Sequence, residues 1–110
     1  MSENRVLKVN ELVKKYVNDT ILRELSLKSG VFLTVAKVDT SCDLRYTRVF
    51  VSVFPESEFD YATKTLEKEL HLFQHNLNQK LRIKPTPRIM FIKDFTETKA
   101  DKIEKILKEL

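Results

Sequence analysis

The chain has 110 residues, 42% of them hydrophobic and 33% charged, with one glycine, three prolines and one cysteine. This length suits one domain with one core, and the composition excludes a disordered or low-complexity chain. The single Cys42 excludes an internal disulfide framework and fits a reducing compartment. No apolar run approaches the roughly 20 residues of a membrane span, and the polar start lacks a secretory core. We therefore expect one cytoplasmic domain over residues 1–110, without a membrane segment.

The first helix is predicted from apolar residues at helical spacing. These residues are Val9, Leu12, Val13, Tyr16, Val17, Ile21 and Leu25. Ser2 or Asn4 is a candidate N-cap, and the helix should end before Gly30. Lys14 and Lys15 lie off the apolar stripe. A solvated helix face is their ordinary interpretation, and contacts to phosphate are the alternative.

A β-hairpin is predicted next, with strands at residues 31–38 and Tyr46–Phe54 and a polar turn at residues 39–43. On the second strand one face carries Thr47, Val49, Val51 and Val53, and the other carries Tyr46, Arg48, Phe50, Ser52 and Phe54. We expect the second set to face solvent. Tyr46 and Phe50 beside Arg48 could stack on bases. We favour ordinary aromatic packing, because no matching aromatic pair occurs at a fixed offset on a neighbouring strand.

The longest amphipathic pattern begins at Ser57 and predicts one helix that ends by Lys84. Its apolar positions are Phe59, Ala62, Leu66, Leu70, Phe73, Leu77 and Leu81. Ser57 with Asp60 forms a candidate capping box. Pro85 ends the helix, because proline lacks an N–H and disfavours helix in the residue before it.

A basic segment follows this helix. Residues 78–93 contain five basic residues and no acid, namely Lys80, Arg82, Lys84, Arg88 and Lys93. The rest of the chain has one more acidic than basic residue, so the formal net charge of +4 arises from this segment alone. Lys80 and Arg82 also complement the negative end of the helix dipole. A concentrated positive patch is typical of proteins that bind a phosphate backbone, and we favour that interpretation over a solvated charge run.

A third strand is predicted at residues 88–95, and a final helix is predicted to follow Thr96 or Thr98. The apolar side of this helix carries Ala100, Ile103, Ile106, Leu107 and Leu110. The predicted order is helix, strand, strand, helix, strand, helix. This order indicates a two-layer α+β domain in which the helices cover one face of a three-stranded sheet.

No pattern in the sequence indicates catalysis. One glycine is too few for a loop that cradles phosphates. His71 and His75 have the i, i+4 spacing of a metal-binding pair, but no HExxH pattern and no obvious third ligand accompany them. Cys42 has no neighbour in the sequence that would activate its thiol. We therefore expect a protein without enzymatic activity, cofactor or metal.

Two stretches resemble the bacterial ribosome-binding factor A family. Residues 41–54, a polar turn leading into Val-x-Val-Ser-Val, are similar to the central hairpin of that family. Residues 80–94, in which a basic Leu-Arg-Ile turn precedes proline and the last strand, are similar to the corresponding part of the family. Residues 9–13 and 103–107 fit its two ends, so the resemblance spans nearly the whole chain.

The resemblance implies a type II K-homology-like fold and a role in ribosome biogenesis. Family members bind the free small (30S) ribosomal subunit late in its maturation, contact 16S rRNA near its 5′ end and central pseudoknot, and support growth in the cold. It implies no catalysis and no cofactor. We expect a monomer that holds RNA phosphates with Lys80, Arg82, Lys84 and Arg88, flanked by Arg45, Arg48, Lys14 and Lys15.

One departure from the family and two alternative functions stay open. The family's Ala-x-Gly kink aligns with residues 67–69, which contain no glycine. A kink without Gly or Pro needs a bulge or an inserted side chain, so a straight helix is allowed as well as a kinked one. The alternative functions are a basic module that docks an acidic protein, and a free-standing K-homology domain for single-stranded RNA. The second lacks a Gly-x-x-Gly loop, and the first lacks an obvious apolar patch beyond the helical stripes.

Overall fold

The computed structural model describes residues 2–93, so the predicted final helix and the end of the predicted third strand lie outside the described residues. In chain order the elements are α1 (Ser2–Glu24), β1 (Phe32–Thr40), β2 (Tyr46–Phe54), a 3₁₀ turn (Glu56–Glu58), α2 (Phe59–Lys68), α3 (Leu70–Lys80) and β3 (Arg88–Lys93). The sheet has the order β1-β2-β3, with β1 antiparallel and β3 parallel to β2. The predicted α+β class is confirmed.

The core lies between the three helices and one face of the sheet. Helix α1 contributes Val9, Val13, Val17 and Ile21, the sheet contributes Leu33, Val35, Val49, Val51, Val53 and Ile89, and the later helices contribute Ala62, Leu66, Phe73 and Leu77. Phe73 packs edge-on against Phe91 of β3, with ring centres 5.2 Å apart. The predicted inward face of β2 is confirmed, because all four of its residues are buried.

A β-bulge at Ala36 sets the two faces of β1. The register with β2 shifts here, and Ala36 has no partner across the strands. Because side chains alternate along a strand, the extra residue turns Val38 and Thr40 toward the core and leaves Lys37 on the opposite face. The Thr40 hydroxyl then donates a buried hydrogen bond of 3.0 Å to the hydroxyl of Thr47. With the bulge, every inward-facing side chain of β1 is therefore either apolar or hydrogen-bonded.

The long helix is interrupted at Glu69, so the straight helix that the sequence allowed is wrong. Glu69 has φ −99° and ψ 11°, and its N–H donates to the carbonyls of Thr65 (3.2 Å) and Leu66 (3.1 Å). A negative φ of this size is accessible to any L-residue, and the kink therefore needs no glycine. Leu70, predicted in the buried stripe, lies just after the kink and is 36% exposed.

The capping box predicted for Ser57 and Asp60 is also wrong. Ser57 lies inside the 3₁₀ turn, and helix α2 begins at Phe59 without a side-chain cap. The chain enters the helix through backbone hydrogen bonding instead, because the N–H of Glu58 donates to the carbonyl of Pro55 at 3.0 Å. A 3₁₀ turn at the start of a helix satisfies backbone groups that a cap would otherwise satisfy.

Phe73 is 1% exposed, so its truncation tests how closely this core is packed. We expect Phe73→Ala to lower the free energy of unfolding by about 3–5 kcal/mol, because it removes the aromatic contact and leaves a cavity. Urea denaturation followed by circular dichroism measures the change. Leu22→Ala on the exposed side of α1 is the control, and it should stay within about 0.5 kcal/mol of the parent chain. Equal effects of the two substitutions would contradict this packing.

Candidate nucleic-acid interface

The parallel pairing of β3 with β2 brings two distant cations together. Arg88 begins β3 and lies opposite Tyr46, the first residue of β2. The backbone N–H of Arg88 donates to the carbonyl of Arg45 at 2.8 Å. Both Arg45 and Arg88 have exposed side chains. The structure therefore joins Arg45, which was predicted as a flanking contact, to the basic segment after α3.

Residues 80–88, which we call the basic turn, combine buried apolar residues with exposed cations. Leu81 and Pro87 are buried and Ile83 is half-buried, whereas Lys80, Arg82, Lys84 and Arg88 are exposed. The apolar residues anchor the turn to the core, and the cations between them are exposed to solvent. All four cations predicted in this segment are consequently directed to solvent.

Gln74 of α3 holds the end of the basic turn. Its Nε2 donates to the carbonyl of Pro87 at 3.0 Å, and its Oε1 accepts from the N–H of Ile89 at 2.9 Å. Arg88 is thus fixed between two clamped residues. Sequence reasoning missed Gln74, because a polar residue beside the buried Phe73 gives no sign of its partners. The one available signal was the i, i+4 pair that it forms with Asn78, to which it also donates at 3.1 Å.

Lys84 and Arg88 share one shallow pocket with polar neighbours. Gln74, Asn78 and Thr86 complete the lining of this space, which has a volume of about 430 Å³. The ammonium of Lys84 donates to the carbonyl of Asn78 at 3.3 Å, near the end of α3. No carboxylate is among these lining residues of the described chain. The Thr86 hydroxyl already donates to the carbonyl of Ile83 at 3.1 Å, so the donors that the pocket offers to a phosphate group are two cations and the Asn78 amide.

Lys80 and Arg82 occupy a different environment from this pocket. The ammonium of Lys80 lies 5.7 Å from the centre of the Tyr16 ring on α1. Lys80 also lines a smaller pocket of about 220 Å³ whose other residues include Asp19 and Glu24. Its surroundings are therefore mixed in charge. Arg82 is exposed between the buried Leu81 and the half-buried Ile83.

Arg45 is presented by a tightly hydrogen-bonded hairpin turn. The Ser41 hydroxyl donates to Oδ1 of Asp43 at 2.6 Å, and the Arg45 N–H donates to the same oxygen at 3.1 Å. These two bonds, the Ser41 bond foremost, lower the pKa of Asp43 below its ordinary value. The stabilisation is therefore present above the unfolded-state pKa and is lost only as the pH falls through the lowered one. At neutral pH the turn keeps Arg45 beside Arg88.

Arg48 lies on the exposed face of the sheet and is already paired. Its guanidinium forms a partly exposed ion pair and hydrogen bond with Oδ2 of Asp39 on the neighbouring strand. On the other side of Arg48, the register places Met90 of β3. Arg48 is therefore less available to a phosphate than Arg88. Arg45 has a looser pairing, because its Nε lies 3.9 Å from Oδ2 of Asp43 and both side chains are more than half exposed.

The structure does not bring Lys14 and Lys15 to the basic turn. Both are exposed on α1. Lys14 lies one turn after Asn10, whose Oδ1 accepts from the N–H of Thr40 at 2.9 Å, so it occupies the flank of α1 that faces β1. Tyr16, which contacts Lys80, lies on the opposite flank. A ligand that touched both sets would have to reach across α1.

In the described part of the chain, the histidine pair and the cysteine do not belong to a recognisable metal-binding or catalytic group of side chains. His71, His75 and Cys42 are all exposed. Within residues 2–93 no three His, Cys, Asp or Glu side chains are grouped so that they could hold a metal ion. None of the helices in the same range has the length and apolar character needed to cross a lipid bilayer.

Comparison with known proteins identifies one family. The model of the ribosome-binding factor A family matches residues 5–107. Ribosome-binding factor A of Natranaerobius thermophilus is 36% identical over 111 residues, which cover 100% of this chain and 85% of that protein. The similarity therefore includes the hairpin, the kinked helix and the basic turn.

Solved structures with the same name have the same fold. The crystal structure of ribosome-binding factor A from Thermus thermophilus superimposes with a TM-score of 0.67 at 22% identity, covering 80% of this chain and 93% of that chain. A homology model of the Thermus thermophilus protein, fitted into the cryo-EM map of a 30S complex, gives a TM-score of 0.64 at 24% identity, with coverages of 77% and 90%. The fold is the type II K-homology-like α+β fold that the sequence led us to expect.

The clamp made by Gln74 gives a direct test of this geometry. We expect Gln74→Ala to destabilise the protein by about 1–3 kcal/mol, because it leaves the N–H of Ile89 and the carbonyl of Pro87 without their partner. Amide hydrogen exchange at Ile89 should accelerate more than exchange in β1. His75→Ala, an exposed neighbour on the same helix, should change neither quantity. Unchanged exchange at Ile89 in the Gln74 variant would contradict the clamp.

Proposed function

Since the chain belongs to the ribosome-binding factor A family, we propose that it binds the free small ribosomal subunit and assists late maturation of 16S rRNA. Residues 1–110 act as one domain, in the cytoplasm and as a monomer. The protein works by binding, without catalysis or cofactor. A Thermus thermophilus protein of this name has been fitted into the map of a 30S complex, which supports the choice of partner.

The observation that carries the proposal is the pocket shared by Lys84 and Arg88. Two cations and the amide of Asn78 line one shallow surface, and no carboxylate is among its described lining residues. Arg45 lies directly beside Arg88 through the backbone hydrogen bond between them. Phosphate contacts of this kind position a nucleic acid and supply most of its electrostatic affinity.

The binding mode follows from the kinds of donor present. With no glycine in the basic turn, no loop of bare backbone N–H groups is available there to cradle a phosphate, and side chains must hold it. Arg88 and Arg45 can each fork onto two phosphate oxygens, whereas Lys84 acts as a point charge. Such contacts recognise the shape of a folded RNA junction through phosphates and 2′-hydroxyls, with little reading of bases.

The predicted cations divide into a central and a peripheral set in this proposal. The central set is Lys84 and Arg88, which share the pocket, and Arg45, which is hydrogen-bonded to Arg88 through the backbone. The peripheral set is Arg82, Lys80, Arg48, Lys14 and Lys15, which do not line the pocket. We expect substitutions in the central set to weaken binding more than substitutions in the peripheral set.

Sedimentation of a cell extract on a sucrose gradient tests the partner. We expect the protein to migrate with free small subunits at low salt, to leave them at high salt, and to be absent from whole ribosomes. Treatment of the extract with nuclease should abolish the co-migration. A protein that stays at the top of the gradient at low salt would contradict the proposal. Association that survives nuclease would favour docking to an acidic protein, and full competition by a short single-stranded RNA would favour a free-standing K-homology domain.

The double substitution of Lys84 and Arg88 by Glu tests the site. We expect affinity for purified small subunits to fall at least about tenfold. A tenfold loss corresponds to about 1.4 kcal/mol of binding free energy, which the reversal of two charges in the site should exceed. The plot of log affinity against log salt should also become shallower by about 1 for each lost phosphate contact. Equilibrium binding at several salt concentrations measures both changes.

A matched control distinguishes the effect of losing this site from the effect of changing the net charge of the protein. Lys64 and Lys68 are exposed on α2, outside the basic turn, and their double substitution by Glu makes the same change in net charge. This control should keep most of the affinity and the original salt dependence. If both double variants weakened binding equally, the basic turn would have no special role. If the Lys84 and Arg88 variant bound as well as the parent chain, the proposed site would be wrong.

A further inference from the structure

Tyr46, the first residue of β2, has a side chain without an aromatic, cationic or hydrogen-bonding contact within residues 2–93. It is 49% exposed. The other two tyrosines each have a lysine ammonium near the ring centre, at 5.7 Å for Tyr16 and 4.9 Å for Tyr61. Phe50 is half-buried, with the ammonium of Lys37 4.7 Å from its ring centre. The ordinary packing favoured from the sequence therefore describes Phe50, but it leaves the ring of Tyr46 uncovered in the described part of the chain.

Tyr46 lies directly beside Arg88, one of the two cations of the phosphate pocket. The two residues are opposite each other in the parallel register, and so are the next two, Thr47 and Ile89, which are both buried. Because successive side chains alternate between the two faces of a sheet, Tyr46 and Arg88 share the outer face. Neighbouring strands lie about 5 Å apart, a spacing that one nucleotide can bridge between its phosphate and its base.

Met90 extends the apolar surface beside Tyr46. It follows Arg88 by two residues on β3, so it shares the outer face, and it is 47% exposed. The register places it opposite Arg48 and therefore diagonally across from Tyr46. A thioether is polarisable and makes favourable contacts with aromatic rings. A base that rests on Tyr46 therefore has an apolar neighbour at its edge.

The backbone of Tyr46 is held in place by the hairpin turn. Its N–H donates to Oγ of Ser41 at 3.1 Å, and its carbonyl accepts from the N–H of Ser41 at 2.8 Å. A tyrosine on a fixed backbone has only two side-chain torsions to lose on binding, which keeps the entropic cost of a contact low. The turn that presents Arg45 thus also positions an aromatic ring.

The two acids nearest to Tyr46 in the chain are already engaged. Asp43 accepts two hydrogen bonds within the hairpin turn, and Asp39 is paired with Arg48. Their charges are therefore partly compensated by these donors. The electrostatic environment at this corner of the sheet favours a polyanion, and the ring beside Arg88 favours one that carries flat bases.

We propose that Tyr46 stacks on one unpaired base of the RNA whose phosphates Lys84 and Arg88 hold. The inference rests on the proposed function and adds a requirement on the partner. The RNA at this site must offer an unstacked nucleotide beside the bound phosphate, which a continuous duplex does not. Stacking accepts any base, because every base has a π-face, so the contact selects for an open strand and not for a sequence.

Removal and conservative replacement of the ring test the stacking. We expect Tyr46→Ala to weaken binding to purified small subunits at least about fivefold, the lower end of what one stacked base contributes. Tyr46→Phe keeps the ring and should bind like the parent chain. Phe54→Ala removes another exposed aromatic ring, at the far end of the same strand, and should also bind like the parent chain. Circular dichroism checks that each variant is folded.

The salt dependence of binding distinguishes failure of the stacking from failure of the proposed function. Tyr46→Ala should leave the slope of log affinity against log salt unchanged, because it removes no phosphate contact, whereas the double substitution of Lys84 and Arg88 should reduce the slope. If the parent chain does not bind small subunits, both proposals fall. If the parent chain binds, the double variant is weakened and Tyr46→Ala binds like the parent chain, only the stacking is wrong. Equal losses in Tyr46→Ala and Tyr46→Phe would assign the effect to the hydroxyl and would also overturn the stacking.

Ultraviolet cross-linking of the complex identifies what lies on the ring. Irradiation joins an aromatic side chain directly to a base in contact with it, and mass spectrometry of the digested complex locates the joined residue. We expect a nucleotide on the peptide that contains Tyr46 and none on the peptide that contains Phe54. A ribosomal protein joined to Tyr46 would assign this surface to protein docking. Nucleotides only on the Phe54 peptide would place the bases at the other end of the sheet, and either result would overturn the proposal.

Discussion

The parallel pairing of β3 with β2 is the constraint on which the arrangement of this protein depends. Parallel neighbours cannot be joined by a tight hairpin, so the chain must cross from the end of β2 back to its beginning. Helices α2 and α3 make this return over the apolar face of the sheet. The basic turn is delivered beside the β1–β2 turn as a result, and Arg88 meets Arg45. The cationic surface is thus a product of topology.

Burial of apolar side chains, rather than attraction between charges, sets the direction of the cations. A fully buried aliphatic side chain contributes about 1.5–3 kcal/mol, whereas an exposed ion pair contributes about 0–1 kcal/mol. Leu81, Pro87 and Ile89 are buried and Ile83 is half-buried, whereas the cations between them are exposed. The hydrogen bonds of Gln74 then fix this arrangement at one end. The turn can therefore hold several like charges close together without unfolding.

The sequence predicted those features that depend on hydrophobic periodicity. Helix α1, the strands and the inward face of β2 follow from the spacing of apolar residues. Features that depend on contacts between distant residues could not be predicted in this way. The kink at Glu69 and the bulge at Ala36 depend on packing in three dimensions. Neither position has a glycine or proline that would indicate it in the sequence. The pairing of Arg48 with Asp39 required the strand register.

The kink at Glu69 has a consequence for the entropy of the unfolded chain. Glycine gives the unfolded chain more conformations than any other residue, and this freedom is lost on folding. Glu69 makes the bend with a backbone conformation that does not need that freedom. Relative to a glycine in a compatible conformation, a residue with a side chain stabilises the folded state by about 0.4–1 kcal/mol. The bend between α2 and α3 is therefore obtained without the flexibility of a glycine hinge.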